Sequence, residues 1–279
     1  EHPDLGRVAN GGPLLPGYDF VNDATVANDG DARDADPSDP GDWVSSAEAG
    51  VGVFDDCEAS PSSWHGTATS SLIGAATNNA VCMAGTAPGV RVLPVRVLGK
   101  CFGKDSDIQA AMRWAAGISV AGVPNNPNPA KVINLSLGGE GSCSASYQLA
   151  VDEIVASGVV IVVSAGNSRG GLVGTPANCN GVFAVGAIRH AGTKVGFSDL
   201  GSQIAIAAPG GNCVLIGAND PCLYPILAAL DAGFTTPQVS KWSDSYDATY
   251  GTSFSAPLVA GVVGLLFSQN PALTVTQVR

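Results

Sequence analysis

The stretch KVINLSLGGEGSCSASYQLAVDEIVASGVVIVVSA (131–165) contains two apolar, β-branched runs with a segment of helical period between them. The apolar runs are continuous and do not alternate with polar residues. Such runs are typical of strands that are buried on both faces of a parallel sheet. The stretch therefore predicts two strands of a parallel sheet that is covered by helices.

The same alternation of strand-like and helix-like segments extends on both sides of this stretch. The segments are 90–98, 107–118, 131–137, 146–158, 159–165, 182–188 and 203–209. They predict an α/β fold, a doubly wound parallel sheet with helices on both faces. A further segment (253–269) is apolar nearly all round, so we expect a buried helix with Pro257 in its first turn. No linker or repeat divides the chain, and residues 1–279 are interpreted as one domain.

Composition excludes several classes of function. The formal charge is −11, and the chain has only 13 Lys and Arg among 279 residues, so a nucleic-acid partner is not expected. The longest apolar runs are too short to cross a bilayer, and no membrane partner is expected. A hydrophobic content of 45% with few charges indicates a folded, acidic protein, which we expect to be a monomer.

Three short motifs carry groups that could perform chemistry together. His65 opens WHGTATSSLIGA (64–75), Asn167 lies in SAGNSRGG (164–171), and Ser253 lies in GTSFSAP (251–257) at the start of the apolar helix. A serine hydroxyl needs a base, and a neutral imidazole is the usual one. Free N–H groups at a helix start and a side-chain amide can stabilise an oxyanion. The three motifs indicate serine acyl transfer.

The motifs HGT, SLGG (136–139), SAGN and GTSxxAP, in this order, are similar to those of the subtilisin-like serine peptidases, the subtilases. This resemblance covers essentially the whole chain. It implies an endopeptidase that acts through a Ser-His-Asp mechanism and an acyl-enzyme, on protein or peptide substrates. Ser253 would be the nucleophile, His65 the general base and then acid, and Asn167 the oxyanion donor.

The resemblance also implies a substrate-binding surface. The walls of the primary specificity pocket would be formed by Ser136, Leu137, Gly138, Gly139, Ser164, Ala165 and Gly166. Gly174 would be the pocket floor and would leave room for a large apolar side chain. Residues 102–104 would pair with an extended substrate as an added strand.

The chain departs from the family pattern at several positions. Ala68 replaces a second histidine, and Phe254, Ser255 and Leu258 replace the usual residues of the serine motif; we expect tuning and not loss of activity. The family's triad aspartate belongs to a strand-end motif such as DTG, shortly before a stretch like HPDL, and the 279 residues contain no such motif. We therefore expect the first strand to be missing, the aspartate to lie upstream of residue 1, and the domain to be incomplete at both ends. The resemblance also implies an upstream inhibitory pro-segment.

Two other functions stay open. A catalytically inactive, subtilase-like binding domain would explain the missing aspartate. Another serine hydrolase, such as an esterase, would share the nucleophile. That class typically has GxSxG between a strand and a helix, whereas GTSFS lacks the second glycine.

Seven cysteines predict disulfides in an oxidising compartment, and their odd number leaves at least one without an intrachain partner. Cys213 and Cys222 bracket a short loop and could pair. The resemblance implies the pairs Cys57–Cys101 and Cys143–Cys179, with Cys82 unpaired. It also implies an extracellular protein, which would pass through the periplasm in transit.

The segment from Asn28 to Trp43 is strongly acidic. One interpretation is a solvated charged loop. The other is a calcium site, since carboxylates crowded together repel one another unless a cation binds them, and the resemblance implies bound calcium. The candidate ligands are Asp29, Asp34, Asp36 and Asp39. His2 and His190 have no partner motif, and we expect both on the surface.

Overall fold

Four parallel strands form the main sheet of the computed structural model, which describes residues 2–212, 222–244, 247 and 249–279. The strands of the chain are β1 (Tyr18–Asp19), β2 (Val95–Arg96), β3 (Val132–Leu135), β4 (Val160–Ser164), β5 (Phe183–Ile188), β6 (Ile204–Pro209), β7 (Ala229–Asp231) and β8 (Ser240–Trp242). The helices are α1 (Ala24–Ala27), α2 (His65–Gly74), α3 (Asp105–Ala115), α4 (Ala145–Ala156), α5 (Thr252–Gln269) and α6 (Val275–Val278).

The main sheet has the order β3-β4-β5-β6, and all three pairings are parallel. In the first pair Leu135 lies opposite Val163. Two smaller sheets accompany it: β1 pairs with β2 in parallel, and β7 pairs with β8 in antiparallel fashion. The parallel α/β sheet that the Val/Ile runs predicted is confirmed.

Strand β4 shows why the sheet needs helices on both faces. All five of its residues are buried. Ile161 and Val163 belong to one core cluster, together with residues of α3 and α4. Val160 and Val162 belong to another, together with residues of α5. Because successive side chains of a strand point to opposite faces, a strand between two helical layers must be apolar throughout.

Helix α5 differs in two respects from the prediction. It begins at Thr252, so Pro257 is the sixth helical residue and not part of the first turn. It is also not buried all round, because Val262, Leu265 and Leu266 are 39–49% exposed. By length and composition alone α5 could cross a membrane, but 56% of it is buried inside the protein, as in the core helix of a folded domain.

Two of the predicted disulfides are confirmed. Cys57 pairs with Cys101 and Cys143 with Cys179, and Cys82 is free and exposed as expected. Cys222 is disulfide-bonded. Cys213 lies outside the described residues, so its pairing with Cys222 stays a prediction.

The expectation of two surface histidines is right for one of them. His190 is exposed, and its ring stacks on Tyr224 with 3.8 Å between centroids. His2 is only 7% exposed. Its Nδ1 accepts a hydrogen bond from the Asp4 N–H, its Nε2 lies 3.0 Å from the Lys241 carbonyl, and its ring meets Trp242 edge to face. Lys241 and Trp242 lie more than 230 residues away in the sequence, so the sequence did not reveal these contacts.

Candidate active site

His65 lies at the first position of α2. The residue before it, Trp64, adopts a left-handed backbone conformation with φ of 50°. This conformation is costly for a bulky residue. It is held by burial of the Trp64 ring and by a hydrogen bond from its Nε1 to the Gly233 carbonyl at 2.8 Å. The start of α2, and with it the backbone of His65, is therefore fixed by contacts from a distant part of the chain.

The surroundings of His65 favour its neutral form. The side chain is half-buried, and its ring meets the Phe254 ring edge to face with 5.9 Å between centroids. Burial lowers the pKa of His65, and the nearby Asp42 carboxylate acts in the opposite direction. Asp42 is held beside the histidine because it accepts hydrogen bonds from the N–H and hydroxyl of Ser63, both at 2.6 Å. An imidazole that is neutral near pH 7 can act as a general base.

Ser253 is the second residue of α5. The helix follows Gly251, whose φ of 147° and ψ of 163° are accessible essentially to glycine alone. The hydroxyl of Ser253 donates to the Ser136 carbonyl at 3.4 Å. Among the described hydrogen bonds there is none between Ser253 and His65. The position at the helix start places the hydroxyl near backbone N–H groups without helical partners.

Asn167 is oriented by Thr252, a residue that the sequence analysis did not single out. The Asn167 Oδ1 accepts from the Thr252 N–H at 2.9 Å and from the Thr252 hydroxyl at 3.0 Å. The Thr252 oxygen in turn accepts from the Gly166 N–H at 3.1 Å. Because two donors occupy the amide oxygen, the amide nitrogen of Asn167 stays available to donate. The position of Thr252 directly before the nucleophile was the one signal that could have identified it.

The predicted pocket walls lie at the ends of two adjacent strands. Ser136, Leu137, Gly138 and Gly139 follow β3, and Ala165 and Gly166 follow Ser164, the last residue of β4. The Ser164 hydroxyl lies 3.5 Å from the carbonyls of Leu135 and Leu137. The two walls are thus brought together by the parallel pairing of their strands.

The fold requires a glycine at position 174, for a reason that the sequence did not show. A Cβ at this position would lie 2.1 Å from the Gly139 carbonyl oxygen. The same two segments are joined by a hydrogen bond from the Gly139 N–H to the Thr175 carbonyl at 2.8 Å. A glycine is therefore required by the close approach of two backbones, whether or not it also leaves room for a substrate side chain.

Residues 102–104 are anchored from both sides. The Cys57–Cys101 disulfide precedes them, and the Phe102 carbonyl accepts from the Gly99 N–H at 3.1 Å. A Cβ on Gly103 would lie 2.3 Å from the Val97 carbonyl oxygen. These contacts hold the segment against the residues that follow β2, and Phe102 and Gly103 line a large cleft.

The four aspartates proposed as calcium ligands do not converge. Asp29 pairs with Arg96 at 2.7 Å, and Asp34 accepts from the Asp36 N–H. The side chain of Asp36 accepts from Ser38, and that of Asp39 accepts from the Gly41 N–H. Within the described part of the chain, no three His, Cys, Asp or Glu side chains are grouped so that they could hold a metal ion. Calcium binding by Asp29, Asp34, Asp36 and Asp39 therefore stays a prediction.

Basic side chains do part of what the calcium ion was expected to do. Arg96 binds Asp19 and Asp29 through Nη1 at 2.5 and 2.7 Å and the Ala27 carbonyl through Nη2. Arg33, inside the acidic segment, binds Asp107, whose other carboxylate oxygen accepts from the Asn22 N–H at 3.1 Å. Arg96 lies 67 residues after Asp29 in the sequence, so the acidic run alone gave no sign of that pairing.

Comparison with known proteins places the chain in a family. A model of the subtilase family matches residues 7–279. The chain is 46% identical to an extracellular protease of Xanthomonas campestris, over 98% of this chain and 43% of that protein. It is 43% identical to an extracellular basic protease of Dichelobacter nodosus, over 95% of this chain and 41% of that protein.

Solved structures agree. A protease structure from Pseudoalteromonas arctica superposes with a TM-score of 0.89 at 42% identity, over 99% of this chain and 77% of that one. A cold-adapted subtilisin-like serine proteinase superposes with a TM-score of 0.65 at 26% identity, over 100% and 74% of the two chains. The chain spans about two-fifths of the length of the curated extracellular relatives. By its sequence, its fold and the arrangement of its motifs, the chain belongs to the subtilase family.

Proposed function

We propose that the protein is a serine endopeptidase that hydrolyses peptide bonds of proteins through an acyl-enzyme. The observation that carries this proposal is the anchored Asn167 amide beside the start of α5, where Thr252 fixes the amide oxygen and Ser253 is the next residue. This arrangement presents an amide N–H and a helix start to one place, as the stabilisation of an oxyanion requires.

The reaction follows from these groups. His65 takes the proton of the Ser253 hydroxyl as the oxygen attacks the substrate carbonyl, and the carbonyl oxygen becomes an oxyanion that the Asn167 amide and the Ser253 N–H stabilise. His65 then gives the proton to the leaving amine, which leaves an acyl group on Ser253. Water, deprotonated by His65, attacks the ester and releases the acid, and the proton returns to Ser253.

Serine acyl transfer by this mechanism also requires a carboxylate that orients His65. Between β2 and β3 lies a cleft of about 1950 Å³, lined by residues of both strands and of α2, α3 and α5, with His65 among them. The carboxyl ends of parallel strands meet at one edge of a sheet, and at this edge Ser136 approaches Ser253. An extended segment in the cleft, parallel to β3, would end beside His65. We propose that the triad aspartate lies at the end of such a segment, upstream of residue 1.

Further properties are proposed from the relatives. The two curated relatives are named extracellular proteases, and two disulfides and a free cysteine are compatible with that compartment. We propose secretion, through the periplasm where there is one, as a monomer with an inhibitory pro-segment. The walls at 136–139 and 164–166 and the anchored segment 102–104 would bind the peptide. We propose bound calcium from the resemblance to the family, with the acidic segment as its candidate site.

The experiment compares the protein expressed from its complete gene with Ser253→Ala and His65→Ala on denatured protein and on a peptide amide. We expect each substitution to lower kcat by at least about 10⁴-fold, as measured for triad lesions in subtilisin and trypsin. Thr69→Ala is the control. It removes a hydroxyl of α2 that donates to the Gly66 carbonyl at 3.3 Å, and the variant should keep its activity. A binding domain would retain peptide binding without any hydrolysis. An esterase would leave both the denatured protein and the peptide amide intact.

A further inference from the structure

The carbonyl of the nucleophile lacks its usual partner in the helix. In an α-helix each carbonyl accepts from the N–H four residues later. For Ser253 that residue is Pro257, which lies inside α5 and has no N–H. A buried or half-buried carbonyl without a donor costs free energy, so a replacement donor is expected at this point.

Ser136 supplies that donor. Its hydroxyl donates to the Ser253 carbonyl at 2.7 Å, across 117 residues of sequence. The same oxygen accepts from the Asn134 Nδ2 at 3.0 Å. A serine hydroxyl has one proton, and the bond from Asn134 leaves that proton directed at Ser253. The relay therefore runs from Asn134 on β3, through Ser136, to the nucleophile's backbone.

A second contact makes the relation reciprocal. The Ser253 hydroxyl donates to the Ser136 carbonyl at 3.4 Å. Ser136 thus holds the backbone of the nucleophile firmly and its reactive oxygen loosely. The short bond is retained when the hydroxyl turns to attack a substrate, whereas the long one can be released at little cost.

We propose that the Ser136 hydroxyl is a positioning residue for Ser253 and replaces the helical donor that Pro257 removes. This inference rests on the proposed function. Since Ser136 also begins the strand end that we assign to the pocket wall, one hydrogen bond sets the distance between the bound peptide and the attacking oxygen. Such placement affects kcat, because small displacements of reacting groups slow the chemical step.

The simplest rival is that Ser136 only joins β3 to α5 and stabilises the fold. The two roles differ in their dependence on Pro257. In Pro257→Ala the new N–H can bond to the Ser253 carbonyl, and the hydroxyl of Ser136 becomes redundant for positioning. A purely structural bond between β3 and α5 would still be lost in Ser136→Ala, whatever residue occupies position 257.

The test is a double-mutant cycle in the protease expressed from its complete gene. We expect Ser136→Ala to lower kcat about 3- to 10-fold, the range of one net hydrogen bond, with KM changed less than twofold. Inactivation by a fluorophosphonate, which reports the reactivity of the serine without a bound peptide, should slow by a similar factor. Ser136→Thr, which keeps the hydroxyl, should retain most of kcat. In the Pro257→Ala background, Ser136→Ala should change kcat less than twofold.

Ser255→Ala is the matched control. Its hydroxyl is fully buried in the same helix and donates to the Ala208 carbonyl at 3.0 Å, so it should lower the melting temperature and leave kcat unchanged. Equal effects of Ser136→Ala with and without Pro257, or an effect on KM alone, would overturn the inference while the wild-type protein still cleaves peptides. A wild-type protein without peptidase activity would instead overturn the proposed function, and this inference with it.

Discussion

Arg96 forms a buried ion pair with Asp19 and a second ion pair with Asp29 of the acidic segment, and its removal should destabilise the protein strongly. The Arg96 side chain is 5% exposed, and its partner Asp19 is 0% exposed. Removal of one member of a buried ion pair leaves the other charge uncompensated, at a cost of about 3–5 kcal/mol. For a chain of this size each kcal/mol lowers the melting temperature by about 2 °C. We expect Arg96→Met to lower it by roughly 6–10 °C at pH 7.

The pH dependence tests the cause. Burial raises the pKa of Asp19 from 3.8 to about 6, in spite of Arg96. Without the guanidinium the folded-state pKa of Asp19 rises further, because Arg96 lowers it. Between pH 3.8 and the folded-state pKa, Asp19 is protonated in the folded state but ionised in the unfolded state. The free energy of unfolding of each protein therefore increases as the pH falls through that range, by about 1.4 kcal/mol per pH unit. From pH 7 to pH 5 the variant therefore gains more stability than the wild type, whose gain begins near pH 6. The cost of Arg96→Met should therefore be smaller at pH 5 than at pH 7.

The assay is urea unfolding of both proteins at pH 7 and pH 5, with Arg91→Met as the control. Arg91 is exposed and donates to the Gly12 carbonyl at 2.8 Å, so its loss should cost less than about 1 kcal/mol. If Arg96→Met costs no more than Arg91→Met, or if its cost is the same at both pH values, the buried pair does not stabilise the folded protein in the way described.

Three further predictions concern the active site and the fold around it. Asp42→Asn removes the charge that raises the pKa of His65, so the acidic limb of the pH profile of kcat/KM should move to lower pH. A shift of that limb to higher pH would contradict this. Phe254→Leu lessens the burial that lowers the pKa of His65, so the acidic limb should move to higher pH, whereas Phe267→Leu, equally buried on the same helix, should leave it in place. Replacement of the Cys57–Cys101 pair by alanines opens a link between residues 44 positions apart and should cost about 4 kcal/mol in thermal unfolding; a cost below about 1 kcal/mol would show that the link does not restrain the unfolded chain.

The sheet was predictable because its central strands carry their own signal. Strand β4 must be apolar on both faces, and the run 159–165 predicted its bounds to within a residue at either end. The run 90–98 was predicted equally strongly but forms only the two-residue strand β2. Pro94 cannot donate to a strand ladder, and β2 borders the cleft on its other side. Strand β1, at Tyr18, lies in a polar, turn-rich region without a strand pattern.

The site was predictable in its residue types but not in its supports. The motifs identified His65, Asn167 and Ser253, because acyl transfer needs a base, an oxyanion donor and a nucleophile. They did not show that Thr252 orients the amide or that Ser136 holds the nucleophile's carbonyl. These supports are hydrogen bonds across about 85 to 117 residues of sequence, and such partners leave no local pattern.

The assignment of Ser253 as the nucleophile is the central claim, and covalent labelling tests it most directly. The protein expressed from its complete gene is treated with a fluorophosphonate and digested, and the modified peptide is identified by mass spectrometry. We expect one adduct, on Ser253, that is absent in Ser253→Ala and forms at least about 10³-fold more slowly in His65→Ala. An adduct on another residue, or labelling that persists in Ser253→Ala, would contradict it.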